Sequence, residues 1–253
     1  MPSWLMSVLC VVGGVMGVTQ LRDVVYVVCE RSSTISRFNA TTHQRLSDID
    51  VNDLRGPHDI VACELTSQLY VADWMECVWR VSVSADGADI KLLLPKSLDD
   101  TFIPWTMSVT STRLLVTSQC TAQLIQFDAG GDELRRVQLP DDIEPHHAVE
   151  SPTGTFIVSL YNTQLKQCQV VEVNTGGEVL RQFSGSRLTS LDTPHVAVDS
   201  RGNIFVADYD NFHILLLDNH LSLRRVIIDE HQLDCKPLRL CYREDKGQLL
   251  VGL

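Results

Sequence analysis

The sequence is poor in positive charge and in aromatic side chains. Its 253 residues include 21 Lys and Arg against 32 Asp and Glu, a formal net charge of −11, and only 6% are aromatic. Affinity for nucleic acids depends largely on cations that neutralise phosphates and on rings that stack on bases, so this composition argues against a nucleic-acid-binding protein. Hydrophobic residues make up 44% and charged residues 21%, which predicts a folded chain with a sizeable core.

Short-range metal and nucleotide motifs are also missing. None of the eight cysteines forms a C-x-x-C pair, which excludes a zinc ribbon, a RING module and a thioredoxin motif. No G-x-S-x-G, H-E-x-x-H, P-loop or G-x-G-x-x-G occurs. Several cysteines, such as Cys29 and Cys63, lie inside apolar runs, where a free thiol behaves as a small hydrophobic residue. We therefore expect free thiols and a cytoplasmic protein.

The chain has no apolar run long enough to cross a membrane. The longest, Trp4 to Val18, has 15 residues and is interrupted by glycines. It precedes the first charged residue, Arg22, and lacks the basic start of a signal peptide. Residues 1–13 therefore have two interpretations, a strand that latches the last blade or a weak signal-like segment, and the second would make the protein secreted.

A proline-led repeat dominates the sequence. Similar segments begin at five prolines: Pro57, Pro104, Pro145, Pro194 and Pro237. Their spacings of 47, 41, 49 and 43 residues average 45, which is the period of a four-stranded propeller blade rather than of a helical repeat. The start of the chain joins the same register near Met16, so six first strands are predicted.

Each segment repeats the same order of apolar strands and polar turns. We predict one all-β domain over residues 1–253, a six-bladed propeller of four-stranded antiparallel blades in which blades shield each other's apolar faces. The predicted blades cover residues 14–51, 57–95, 104–140, 145–185, 194–229 and 237–253, and the last is incomplete. The basic pairs Arg135-Arg136 and Arg224-Arg225 fall in predicted outer strands and are expected to be solvated.

The segment from Thr193 to Asp208 has a proline, a short apolar strand, a Gly-Asn turn and a second strand that ends in Ala-Asp. Pro57 to Asp73 is a second copy of this pattern. The pattern resembles the NHL-repeat family of six-bladed propellers, and the resemblance runs from about residue 14 to residue 253. Thr117-Ser118 and Ser159-Leu160 depart from it by replacing Ala-Asp. Because NHL propellers occur in tripartite-motif ubiquitin ligases, the resemblance implies a substrate- or partner-recruiting module without its RING.

A histidine directly follows three of the blade prolines. If His58, His146 and His195 lie at the same height around the channel, they could hold a zinc ion with one open position. The segment Pro57 to Ala62 also resembles a metal-ligand strand of the amidating-lyase propeller, which implies a metal-dependent lyase or hydrolase as an alternative function. Leu238 stands where the sixth blade of that enzyme would need its histidine. Hydrogen bonds from the histidines to loop carbonyls are the other interpretation.

We predict a non-catalytic, monomeric protein-binding module with no catalytic residue and no cofactor. Its binding face would surround the channel, where loops vary on a stiff scaffold. The candidate face residues are Trp74, Trp105, His147, Tyr161 and Tyr209. The partner would be a protein or peptide, and the negative net charge favours a basic one. Asp73 and Asp208, at the ends of second strands, are expected to cap the following turns.

Overall fold

The computed structural model is a β-propeller. It describes residues 5–9, 14–75, 77–84, 87–95, 102–183, 188, 194–233, 235–244 and 246–253. The predicted all-β propeller with four-stranded antiparallel blades is therefore confirmed, and five blades are complete. Among the described residues the only helical element is a short 3-10 turn, Gln119–Thr121, and no helix has the length and apolar character needed to cross a membrane.

Each complete blade has four antiparallel strands in sequence order, from the innermost to the outermost. Blade 1 consists of β2 (Val15–Leu21), β3 (Val24–Cys29), β4 (Thr34–Asn39) and β5 (Ile49–Asp50). Blade 2 consists of β6 (Pro57–Cys63), β7 (Gln68–Asp73), β8 (Cys77–Ser84) and β9 (Gly87–Pro95). Blade 3 consists of β10 (Pro104–Thr110), β11 (Arg113–Ser118), β12 (Gln123–Phe127) and β13 (Glu133–Gln138).

The next two blades repeat this arrangement. Blade 4 consists of β14 (Ile143–Glu150), β15 (Phe156–Asn162), β16 (Gln167–Val173) and β17 (Val179–Phe183). Blade 5 consists of β18 (His195–Val198), β19 (Ile204–Asp208), β20 (His213–Leu217) and β21 (Leu223–Ile228). Every innermost strand thus begins at a predicted blade start, within two residues of its proline or, in blade 1, next to Met16.

The sixth sheet is built from both ends of the chain. Strand β22 (Arg239–Arg243) pairs antiparallel with β23 (Gln248–Gly252). Strand β1 (Leu5–Leu9) pairs with β23 in parallel. This is the position beside the last blade that the latching interpretation of residues 1–13 predicts for a strand. Of those residues the structure describes 5–9, and residues 1–4 and 10–13 lie outside the described residues.

The six innermost strands form a closed ring. Each of β2, β6, β10, β14 and β18 contacts the next innermost strand, and β22 contacts β2. Large side chains such as Tyr70, Phe127, Phe156 and Phe205 are buried between neighbouring sheets. Their burial is the main source of stability, because no single blade can cover its own apolar faces.

Four innermost strands contain one extra residue near their start. In β6, Pro57 lies opposite Asp73 and Asp59 lies opposite Ala72, so that His58 forms a bulge. The same irregularity occurs at three other residues: Met16 in β2, Trp105 in β10 and His146 in β14. Strand β18 has none, and His195 pairs directly with Ala207. A bulge re-aims side chains, so this difference controls which residues reach each level of the channel.

Candidate functional site

The register of the innermost strands places one residue from each at the same level of the channel. Each of these residues pairs with the residue that follows a buried valine in the second strand of its sheet. We call this set the inner ring; its members are Gly17, Asp59, Thr106, His147, His195 and Arg239. Five of the six carry polar side chains, and all five are buried. A closed ring of strands thus surrounds a polar centre instead of an apolar one.

The bulged residues form a second level, nearer the mouth of the channel. Met16, His58, Trp105 and His146 line a cavity of about 210 Å³, the mouth cavity. The His58 ring stacks on Trp105 with 3.8 Å between ring centroids, and His58 Nδ1 donates a hydrogen bond to the Trp105 carbonyl oxygen at 3.1 Å. His146 meets the edge of Trp105 at 6.2 Å. The carbonyl that His58 contacts belongs to strand β10 of the next blade, whereas the sequence interpretation expected a loop carbonyl.

Two inner-ring histidines stack on each other, with 3.7 Å between the ring centroids of His147 and His195. His147 Nε2 lies 3.1 Å from the Met107 carbonyl oxygen, so Nε2 carries the proton and Nδ1 keeps its lone pair. His195 Nδ1 accepts a hydrogen bond from the Leu240 amide at 3.3 Å, so His195 carries its proton on Nε2. Both His147 Nδ1 and His195 Nε2 are buried, and neither has a hydrogen-bond partner among the residues that the structure describes.

Burial keeps the channel histidines neutral. It lowers the pKa of His58 and of His147 to about 3 and that of His146 to about 4. The pKa of His195 is also held well below 6.5, first by burial and then by the neighbouring His147 and Arg239. At neutral pH these four side chains therefore contribute dipoles and hydrogen-bonding atoms but no charge.

Asp59 joins two blades. Its Oδ1 accepts the Ile60 amide at 2.8 Å in its own strand, and its Oδ2 accepts the Met107 amide at 2.7 Å in the next blade. Burial raises the pKa of Asp59 to about 6, while Arg239 and the two amides act in the opposite direction. The carboxyl is therefore ionised at neutral pH and begins to take up a proton in mildly acidic solution.

Arg239 is the only cation of the inner ring, and its side chain is 8% exposed. Its Nη1 donates to the Leu238 carbonyl oxygen at 3.1 Å, and its Nη2 reaches across blade 1 to the His58 carbonyl oxygen at 3.3 Å. Its Nε is buried without a partner. Within the part of the chain that the structure describes, no carboxylate lies within 4.0 Å of this guanidinium.

The predicted metal set is only partly brought together. In the described residues, the one group of three side chains with ligand atoms within 4.8 Å of one another is Asp59, His147 and His195. His58 and His146 lie at the mouth level, outside this group. The group suits zinc poorly, because His195 Nδ1 is engaged by the Leu240 amide and its Nε2 carries a proton. The nearby Arg239 charge, which lowers the pKa of both histidines, also opposes a second cation.

The predicted face residues occupy different environments. Trp74 is 52% exposed, and Trp105 and Tyr209 are half-buried. Tyr161 is half-buried and packs against the core cluster of blades 4 and 5. His147 is 3% exposed and lies inside the channel rather than on the surface.

Trp74 lies beside the mouth cavity, over a groove of about 440 Å³ that we call the Trp groove. The two hollows share Met16, His58 and Trp105. Gly56 makes this placement possible, since a Cβ at residue 56 would lie 2.1 Å from Trp74 Nε1. The Trp74 amide also donates to the Gly56 carbonyl oxygen at 3.2 Å.

Asp73 fixes the loops next to Trp74. Its carboxylate accepts the amides of Arg55, Gly56 and Met75 at 2.8, 3.1 and 2.9 Å. The predicted role of this aspartate as a turn cap is thereby confirmed, and the cap also ties the loop before blade 2 to the end of β7.

Sequence reasoning missed Asp59 and Arg239 as channel residues. The repeat was counted from the prolines, which places His58, His146 and His195 at equivalent positions. Asp59 and His147 follow their prolines by two residues, whereas His195 follows Pro194 directly. Counting back from the valine of each second strand would have aligned His195 with Asp59 and His147.

Comparisons with solved structures identify the fold. No protein-family model matches the chain, and no curated protein matches it. A chain in the crystal structure of a nidogen/laminin complex superposes with a TM-score of 0.67 at 14% identity, covering 94% of this chain and 85% of that one. A catalytically inactive virginiamycin B lyase from Staphylococcus aureus, with quinupristin, gives a TM-score of 0.65 at 13% identity, covering 91% and 74%.

Hydrazine synthase from Kuenenia stuttgartiensis is a third similar structure, with a TM-score of 0.61 at 12% identity and coverage of 94% and 95%. Identities this low carry no function from one protein to another, because one fold supports many activities. Together with the sheet order described above, these similarities establish that the chain is a β-propeller.

Proposed function

We propose that this chain is a non-catalytic protein-interaction propeller that binds its partner over the Trp groove and the mouth cavity. The observation that carries this proposal is Trp74, a tryptophan that is 52% exposed beside the half-buried Trp105. Tryptophan is enriched among the residues that dominate binding energy, especially next to a pocket that a partner can fill.

The loops around Trp74 support this function because they are already fixed. The three amide contacts of Asp73 and the close fit of Trp74 on Gly56 hold the indole in place before any partner arrives. A fixed side chain loses little entropy on binding, so more of its contact energy appears as affinity.

The partner is proposed to be a protein or peptide with basic character, which a net charge of −11 attracts over long range. The nidogen/laminin complex is a precedent for a protein assembly that contains this fold. The Pro57 to Asp73 and Thr193 to Asp208 repeats support the finer proposal of a six-bladed NHL-type module that recruits partners for ubiquitin ligation in the cytoplasm.

A displayed library of random peptides tests the proposed surface. Peptides enriched on the wild-type chain would be measured against Trp74→Ala and against Leu134→Ala, since Leu134 on β13 is also 52% exposed. We expect Trp74→Ala to weaken binding at least about tenfold, in line with a loss of more than about 1.4 kcal/mol at a dominant contact, and Leu134→Ala to have no effect.

Gly56→Ala sharpens the same test, because it displaces the Trp74 indole without removing it. A loss of binding similar to that of Trp74→Ala would support the groove. Failure to enrich any peptide, or equal losses for Trp74→Ala and Leu134→Ala, would contradict the proposal.

A metal-dependent lyase is the second candidate function. Its basis is the proximity of Asp59, His147 and His195, which zinc would bind only if the Leu240 amide released His195 Nδ1, and the similar virginiamycin B lyase fold shows that a propeller of this shape can support a lyase. Elemental analysis of the purified protein after exposure to zinc decides between the two candidates. One equivalent of zinc, lost in His147→Gln and retained in the exposed control His231→Gln, would favour the lyase; no bound zinc would exclude it.

A further inference from the structure

The inner ring contains a buried cation with no direct counter-ion. Arg239 is 8% exposed, and among the described residues its guanidinium contacts only two carbonyl oxygens and its Nε has no partner. Asp59 interacts with it electrostatically but lies more than 4.0 Å away, and both Asp59 oxygens already accept backbone amides. A buried charge without a partner is costly, so the channel favours an anion from outside.

A second residue with an unpartnered donor lines the same space. Because His195 Nδ1 accepts the Leu240 amide, His195 Nε2 carries a proton, and this buried N–H has no acceptor in the structure. Arg239 and His195 both line the mouth cavity and also a deeper hollow of about 180 Å³, the inner cavity. The two residues that carry the unpartnered donors therefore lie where the two cavities meet, and small side-chain rotations would bring their buried N–H groups to a ligand there.

The inner cavity has room for a small ligand, and its walls combine the polar ring with apolar side chains. Its volume of about 180 Å³ is well above the roughly 10–15 Å³ of free space that one water molecule needs. Met107, Val149 and Val198 are among its walls. Hydrogen bonds to a charged group are stronger in such surroundings than in water.

We propose that the inner ring binds a carboxylate group, which accepts hydrogen bonds from Arg239 Nε and His195 Nε2. Asp59 is ionised at neutral pH and lies near these donors, so it opposes a doubly charged phosphate more strongly than a monoanion. A carboxylate also has two oxygens, one for each unpartnered donor. This site lies below the surface that was proposed for protein binding, and its existence does not depend on that function.

Two sources can supply the carboxylate: a small free acid, or a peptide that inserts its C-terminus or an acidic side chain through the mouth. Both require the same donors. Formate represents the first source. A short N-acetylated peptide with a free C-terminal carboxylate represents the second, and its C-terminal amide is the matched control.

The experiment measures thermal unfolding and the amide NMR spectrum of the full chain during titration with formate, with chloride at the same ionic strength as reference. We expect a saturable rise in the unfolding temperature and a saturable shift of the Leu240 amide signal, because that amide is bonded to His195. Arg239→Gln should abolish both effects. Arg243→Gln is the control, since Arg243 is a buried arginine of the same strand that lines neither cavity.

The titrations both test the carboxylate site and distinguish its two possible sources. A response to formate but not to the peptide supports a free acid as the source, and a response to the peptide with a free carboxylate at lower concentration than to formate supports a peptide. The proposal is wrong if formate and the peptide behave like chloride, or if the response survives in Arg239→Gln. If that variant does not fold, the Leu240 shift in the wild-type chain and its loss in His195→Phe decide the question. Trp74→Ala should leave the formate response unchanged, which separates this site from the binding surface.

Discussion

The inner ring and the outer rim of the propeller both carry charged side chains, but the ring charges are buried and separated whereas the rim charges are exposed and paired. On the rim, Arg136 contacts Glu133 at 2.8 Å, and both side chains are 37% exposed. In the ring, Arg239 and Asp59 are buried and do not touch. Rim charges are stabilised by water and contribute little to stability. Ring charges depend on their surroundings, so the channel is where a ligand or a change of pH can have large effects.

Acidification should give the largest difference between the two regions. The channel histidines have folded-state pKa values of about 3 to 4, or well below 6.5, so the unfolded chain takes up protons first as the pH falls through 6.5. Each such group can cost up to about 1.4 kcal/mol of stability per pH unit. Asp59 acts in the opposite sense below about pH 6, because its folded pKa is raised, but four histidines outweigh one carboxyl.

We therefore expect the free energy of unfolding to fall by several kcal/mol between about pH 7 and about pH 5. Urea unfolding across this range measures it. His147→Gln should make the slope shallower, whereas His231→Gln should not, because the His231 side chain is 84% exposed. A slope that is flat in the wild-type chain would show that the channel histidines are not buried in their neutral form.

Removal of the Asp59 carboxylate should have the next largest effect. Asp59→Ala leaves the buried amides of Ile60 and Met107 without acceptors, and we expect a loss of about 3 kcal/mol. The rim control Glu133→Ala should change stability by less than about 0.5 kcal/mol. Equal effects in urea unfolding would mean that ring and rim charges do not differ as described.

A methyl group at Gly17 should have a smaller effect. A Cβ at this residue would lie 2.6 Å from the Ile60 nitrogen and 2.9 Å from the Asp59 Cα, both of which are backbone atoms of the next blade. We expect Gly17→Ala to cost about 2 kcal/mol in thermal or urea unfolding. Gly14→Ala, whose nearest neighbour would be Glu30 Oε2 at 4.0 Å, should be close to neutral. Similar values for the two variants would contradict the close approach of blades 1 and 2.

The architecture was predictable because the repeat is marked by residues with strong backbone conformational preferences, namely proline, aspartate and asparagine. Pro57, Pro104 and Pro145 lie at or inside the starts of the innermost strands, and Asp128 and Asn174 begin the outer hairpin turns with side chains that bond their own backbone. The solvated basic pairs on β13 and β21 were also predictable, since the outermost strands have only one neighbour.

The candidate site was less predictable, because one-residue bulges are weakly encoded. His58 and His146 follow their prolines as His195 does, yet the bulges move them to the mouth, whereas His195 pairs with Ala207 one level deeper. A shift of one residue changes the face and level of every side chain that follows. Arg239 was missed because its importance depends on long-range contacts, including one with a carbonyl 181 positions earlier in the chain.

The parallel pairing of β1 with β23 has a mechanical consequence. Leu5 lies beside Gln248 and Leu9 beside Gly252, so a force that pulls β1 and β23 in opposite directions along their length would shear this one ladder of hydrogen bonds. Once these bonds yield, the β22–β23 hairpin, which carries Arg239, would be held in the ring by its packing against blades 1 and 5. The sheet that closes the ring, formed by β1, β22 and β23, is therefore also the sheet that supplies the buried charge of Arg239.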